Sequence, residues 1–303
     1  AKQGGFTLLE LLVVVAILAA IAGTATILLQ DTDQKAAAAL NAVKMDELNK
    51  AIHTYPVLND GMFPNYMDSL LVSGSVNIPS AAAGGSAGAV GADTSVIELS
   101  GSDFEPVDVT SVAKMTEAGI TSVMDLDETA HTNACASGSA LKGRLDAGDT
   151  TIDQLYTTGL KGCGVARAVA DGDEFILYKG SLKPIMGEAA AAYTTPIAVD
   201  GASGTGTYAV NAGTVGHPVV IVLGLGQSSE LFNPQQLGAL STAPIYKSTS
   251  ANEYAYNRFL GLFKVGEVED LGSGPVFGAR DVKFMGLMTP QGKFAAEELA
   301  KWE

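Results

Sequence analysis

Residues 11–29 read LLVVVAILAAIAGTATILL, 19 consecutive positions without a charged side chain. As an α-helix the run is about 28 Å long, close to the ~30 Å hydrocarbon thickness of a bilayer. It reads as a membrane-spanning helix. It is longer than the apolar region of a secretory signal peptide, and no small-residue cleavage site follows it. The chain then passes into QDTDQKAAAALNAVKMDELNKAIHTY, which is polar but still suited to a helix. Here Ala36, Leu40, Val43, Leu48 and Ile52 recur at spacings of three to five residues, which predicts a single apolar face. No proline precedes Pro56, so the expectation is one continuous helix from Phe6 to about His53. Its first half, apolar all round, must be surrounded by lipid or by other apolar helices. Its second half needs a globular domain over its one stripe.

Glu10 stands at the edge of the apolar run. A carboxylate there is costly in lipid and marks function, and once buried it needs a cationic partner. No Lys or Arg lies within the following helical turns, so the partner is expected from another chain. A free amine at Phe6 of a neighbouring subunit would supply the charge.

The sequence Gly5-Phe6-Thr7-Leu8-Leu9-Glu10 followed by an apolar run resembles the processing and assembly motif of bacterial type IV pilins and type II secretion pseudopilins. The resemblance implies that a prepilin peptidase cuts after Gly5 and that the new terminal residue, Phe6, is N-methylated. It also implies that Glu10 meets a neighbour's terminal amine during assembly. Residues 1–5, AKQGG, then read as a leader-like segment, and its retention would remove the amine that Glu10 should meet. Many family members carry a helix-breaking proline where this chain has Ile27. The local melting that the resemblance implies would therefore centre on Gly23. A second resemblance to the same family lies in YPVLNDGMFPNYMDSLL at residues 55–71: a Tyr, an Asp-Gly turn, an aromatic and Pro, then an expected short helix ending in Leu-Leu. Together the two cover about the first 70 residues.

The net charge of -15 is unevenly spread: residues 51–140 hold eleven acids and one base, Lys114. Such a surface repels phosphates, so nucleic acid is not an expected partner. The two cysteines, Cys135 and Cys163, most simply form one disulfide in an exported protein, worth about 3 kcal/mol in the chain-entropy model. Residues 80–102 are Ala/Gly/Ser-rich and read as a flexible loop or linker. Residues 103–170, which contain both cysteines and helical pieces at 112–118 and 151–158, read as a disulfide-tied insertion. Strand-like runs follow at 174–178, 207–210, 218–223, 258–265 and 282–288, and a short helix is expected at 292–302. Short strands without alternating long helices suggest an antiparallel sheet. The predicted fold class is α+β: a long N-terminal helix packed on an antiparallel sheet, pilin-like, with an elaborated loop region. The domain reading is a leader at 1–5, an assembly helix at 6–55 and a globular head at 56–303.

The chemical motifs carry less. The stretch VVIVLGLGQSS at 219–229 looks like a strand entering a dinucleotide turn, but Ser229 replaces the third glycine and Pro234 interrupts the next helix. His53, His131 and His217 lack metal-site spacing. Asp171, Asp173 and Glu174 form a candidate calcium cluster, with a solvated turn as the competing reading; residues 267–270, EVED, present the same choice. Tyr254, Tyr256, Phe259 and Phe263 read as sheet core. No hydroxyl-nucleophile signature is present, and neither catalysis nor a cofactor is expected, calcium aside. The function expected is a structural subunit that polymerises with copies of itself into a helical homopolymer. Its further partners would be the prepilin peptidase, the pilus assembly machinery and the inner membrane before assembly. The precursor would sit in the inner membrane and the product in a filament on the cell surface. The alternatives are a type II secretion pseudopilin and a membrane-anchored surface binding protein or enzyme.

Overall fold

The computed structural model describes residues 8–72, 104–109, 112–126, 164–178, 180, 182–186, 216, 218–235, 240–246, 256–270 and 275–300; residues 10, 24–31, 34 and 104–109, among others, are described by backbone alone. Helix α1 (Leu8–Leu58) spans 51 residues, roughly 75 Å. It continues three residues past Tyr55, with Pro56 inside it. The proline removes one amide donor from the ladder. The end is then closed locally: Asn59 donates to the Tyr55 carbonyl through both its amide (3.0 Å) and its side-chain Nδ2 (2.9 Å). Asp60 and Gly61 turn the chain out at positive φ, 52° and 85°.

The helix backbone covers all of residues 11–29, but among the described residues no helix is long and apolar enough to cross a membrane. The membrane-spanning expectation concerns the whole of 11–29, and the side chains of 24–29 lie outside the described residues.

The predicted apolar stripe on the second half is also corrected. Leu48 and Ile52 are buried, but Leu40 and Val43 are exposed (46% and 64%), and so is Ala36. The buried face holds Ala37, Ala38, Asn41, Met45, Leu48, Ala51, Ile52 and Tyr55. The five-residue step from Val43 to Leu48 turns the helix by about 140° beyond a full turn, so the two groups of apolar residues occupy different faces.

Among the described residues eight strands follow: β1 (Met67–Val72), β2 (Phe104–Val109), β3 (Ser122–Leu126), β4 (Gly164–Ala168), β5 (Asp173–Tyr178), β6 (Pro218–Gly224), β7 (Leu260–Asp270) and β8 (Pro275–Met288). The helices between and after them are short: α2 (Ala113–Glu117), α3 (Lys183–Met186) and α4 (Ala295–Ala300). The sheet is mixed, not antiparallel, because β1 and β3 run parallel. Residues expected as a short helix before Leu70-Leu71 are strand β1, and three pieces of the supposed insertion are strands β2, β3 and β4 of the same sheet. Strand β6 is the axis. It pairs with β7 along its whole length, and its other side is shared by β5 at Val222 and Ile221 and by β1 at Gly224. All seven residues of β6 are buried, which explains its unbroken apolar run. Ile221 and Leu223 face the main core with Met45, Leu48, Ile52, Phe259 and Phe263; Val220 and Val222 are buried on the opposite face. Each fully buried aliphatic side chain here is worth about 1.5–3 kcal/mol. Strand β1 carries a bulge between Asp68 and Val72, where Leu70 takes φ 65° while fully buried, a strained backbone for a branched residue.

The predicted strand at 207–210, the helical piece at 151–158 and the disulfide between Cys135 and Cys163 lie outside the described residues, as do His131, His217 and Tyr254.

Candidate functional site

The side chains of residues 8, 9 and 11–23 of α1 are exposed. Ten Leu, Val and Ile side chains between residues 8 and 21 are exposed, from Val13 at 45% to Leu8 at 81%. The segment holds none of the i, i+4 charge pairs that stabilise an isolated helix. A contiguous apolar surface of this kind marks a place of interaction. Gly5 and Phe6, the expected processing junction, lie outside the described residues, and Glu10 is placed only by its backbone, in the first turn of α1. In sequence it stands immediately before the uncharged run begins.

The candidate cation cluster is turned toward the protein. Asp171 Oδ1 accepts from the Val112 amide at 2.7 Å. Asp173 Oδ2 accepts from the Ala170 amide at 2.7 Å and pairs with Arg167. Glu174 sits in β5 opposite Asp108 of β2. Among the described residues no group of three or more His, Cys, Asp or Glu side chains could hold a metal ion. The acidic run in β7 is likewise paired: Lys264 donates to Glu267, and Arg280 donates to Glu269. The Lys264 hydrogen bond, with smaller contributions from nearby cationic charge, holds the Glu267 carboxyl below its ordinary value.

The glycine turn after β6 is packed, not open. A Cβ on Gly224 would meet the Tyr256 hydroxyl, and one on Gly226 would meet the Asp68 carboxylate. Ser229 caps the 3₁₀ turn Glu230–Phe232 by accepting from the Leu231 amide. The glycines therefore serve close approach within the core, and no phosphate cradle is formed. Tyr256, Phe259 and Phe263 are buried, as expected of sheet core, and His53 rests edge-on against Phe284 at 5.3 Å.

Two buried polar constellations went unread in the sequence. In the first, Ser69 Oγ donates to Asp125 Oδ1 at 2.5 Å and Arg167 Nε donates to Asp125 Oδ2 at 2.5 Å. Arg167 also pairs with Asp173 and lies 5.6 Å over the Phe175 ring. In the second, Glu230 Oε2 accepts from the Asn65 amide at 3.0 Å and from Tyr55 Oη at 3.2 Å, tying the end of α1 to the sheet. Burial first, then the charge and hydrogen bond of Glu230, push the Tyr55 phenol up to about 12. A phenol raised above its unfolded value stabilises the fold while both states are neutral, and that contribution is lost as pH climbs from about 10 toward 12. Wild-type protein is therefore expected to melt progressively lower over that interval, and Tyr55→Phe to flatten the decline. Parallel slopes in a thermal-melt series would show that Tyr55 carries no such linkage. Both constellations join elements to one another.

Residues 1–26 match the prokaryotic N-terminal methylation motif, the prepilin-type signal of type IV pilins and pseudopilins. No curated protein and no solved structure shows a significant match to the chain. The matched segment includes the exposed apolar residues 8–23 of α1.

Proposed function

We propose that the chain is a structural subunit of a type IV pilus-like extracellular filament, made as an inner-membrane precursor and polymerised through its N-terminal helix. The observation that carries this reading is the methylation motif at residues 1–26 lying on a helix whose apolar side chains are exposed. Burying those side chains between copies drives association at about 25 cal/mol per Å². A prepilin peptidase would cut after Gly5, Phe6 would carry the free and methylated amine, and Glu10 of a neighbour would pair with it. An unpaired carboxylate in an apolar bundle penalises wrong stacking, so Glu10 would set register. Cys135 and Cys163 would form a disulfide in the exported head.

Electron microscopy of material sheared from cells, with mass spectrometry of the subunit N-terminus, tests this. Filaments whose subunits begin at Phe6 are the expected result. Glu10→Ala should leave the head folded and cut filament yield at least tenfold, about 1.4 kcal/mol or more per subunit; undiminished filaments would remove Glu10 from assembly. The segment DGMFP at residues 60–64 favours a second reading, a type II secretion pseudopilin. Absence of surface filaments at native expression, with loss of secretion on deletion, would select it.

A further inference from the structure

Among the described residues, six large apolar side chains beyond residue 50 are exposed, and four of them fall within ten residues: Val57, Leu58, Met62 and Tyr66, from 81% down to 38%. They surround the turn that closes α1. The residues that anchor this turn point inward instead: Pro64 is buried, and Phe63 meets the Phe263 ring edge-on at 5.6 Å. The backbone is tied at successive steps. Gly61 donates to the Pro56 carbonyl (2.7 Å), Met62 to that of Asn59 (2.9 Å), Phe63 to that of Ala118 (2.7 Å) and Tyr66 to that of Ser122 (3.0 Å). Gly119 lies so close to Met62 that a Cβ on it would stand 2.7 Å from the Met62 Cβ. Met62 and Tyr66 thus rest on the two ends of segment 119–122, which is at most about 11 Å long. Tyr66 takes φ 57°, a costly backbone for an aromatic side chain that the core does not take in.

A loop held in place while it turns four large apolar side chains outward offers them to a partner. Charge selects which partner. Asp60 stands within the group, exposed, and forms no ion pair among the described residues. Helix α2 ends against the same turn, where its exposed Glu117 shares Lys114 with the exposed Asp281. Acids near the turn therefore outnumber bases by three to one. Anionic lipid headgroups are repelled from such a surface. A second copy brings the same acids and its own net charge of -15. A segment that combines apolar side chains with lysine or arginine is attracted. Val57 lies about 50 Å along α1 from residue 23, so the patch is separate from the apolar segment through which copies would polymerise.

We propose that Val57, Leu58, Met62 and Tyr66 dock a cationic amphipathic segment of a partner protein, whose apolar side chains pack on these four while a lysine or arginine meets Asp60. Because the turn is tied down before the partner arrives, little ordering of the chain opposes binding. The contact does not depend on whether copies of the chain polymerise.

The test titrates the full chain, held in phosphatidylcholine nanodiscs, into a labelled leucine–lysine peptide patterned for one apolar helical face, with empty nanodiscs as background. Leu58→Ser with Met62→Ser should leave the melting temperature unchanged and weaken binding about tenfold, which corresponds to about 1.4 kcal/mol. Asp60→Asn, which keeps a residue suited to the left-handed turn, should weaken it about threefold, within the range of an exposed charge pair. Leu299→Ser, on another exposed apolar residue, should change nothing. A leucine–glutamate peptide of the same pattern should bind more weakly than the lysine peptide. Photolysis with p-benzoylphenylalanine at Met62 should attach the lysine peptide. Equal binding of the two peptides, or wild-type affinity in the Leu58/Met62 double variant, would overturn the proposal. So would Met62 adducts confined to lipid, to a second copy or to the chain itself.

Discussion

Asp125→Ala is expected to lower the melting temperature by roughly 10 °C. Asp125 is 2% exposed and holds together three strands: Ser69 of β1 and Arg167 of β4 both donate to it at 2.5 Å from either side of β3. Removing the carboxylate strands a guanidinium that is three-quarters buried (24% exposed). Breaking a buried pair from one side costs about 3–5 kcal/mol. Arg167 keeps Asp173 and the face of Phe175, which argues for the lower end of that range. At about 2–4 °C per kcal/mol for a domain of this size, the shift is readily seen by differential scanning fluorimetry. Asp173→Ala removes a more accessible partner from the same arginine and should cost less. A shift of under ~2 °C for Asp125→Ala, or a larger one for Asp173→Ala, would contradict this account of the network.

Gly226→Ala is expected to destabilise the head by about 3 kcal/mol. The added methyl would be driven into the Asp68 carboxylate, and Asp68 is fully buried with the Tyr256 hydroxyl donating to it at 2.6 Å. Overpacking a filled interior costs about 1–3 kcal/mol, and displacing Asp68 puts a buried charge-assisted hydrogen bond at risk, itself worth about 1.5–3 kcal/mol. Gly23→Ala provides the comparison, because nothing lies within 4 Å of its would-be Cβ. It should leave the denaturant midpoint of the head unmoved. Equal midpoints for the two variants would show that the turn after β6 yields without loss.

The regions of this molecule that could be read locally are those whose reason is local. The run Val219-Val220-Ile221-Val222-Leu223 states its own burial, and residues 174–178 are apolar and aromatic enough to be found as β5. Strand β1 is the opposite case. Asp68 and Ser69 sit in its middle, fully buried, and a strand with two buried polar side chains makes sense only beside their partners. Those partners, Tyr256 and Asp125, lie 188 and 56 residues away. The parallel pairing of β1 with β3 is hidden for the same reason. The N-terminal motif was legible because six residues of fixed type and spacing precede the apolar run. The continuation of the helix's outer surface was legible in principle: Leu40 and Val43 were apolar at helical spacing, and only the angle between them and Leu48 separates an outward stripe from an inward one. Reading spacing without angle merged the two.

The helix and the sheet meet along one line, from Ala38 to Tyr55, where each turn or so of α1 sets a side chain into the core. In the filament proposed above, tension would enter each subunit along that helix. Pulled lengthwise, the seam is in shear, so Met45, Leu48, Ile52 and Tyr55 resist simultaneously, and the Glu230 tie at the far end of the seam is strained with them. A joint loaded in that direction fails as a unit, at a rate set by its unfolding barrier. The same contacts peeled from one end would give way in succession. The head is thus joined to its helix by contacts that a lengthwise pull would load together.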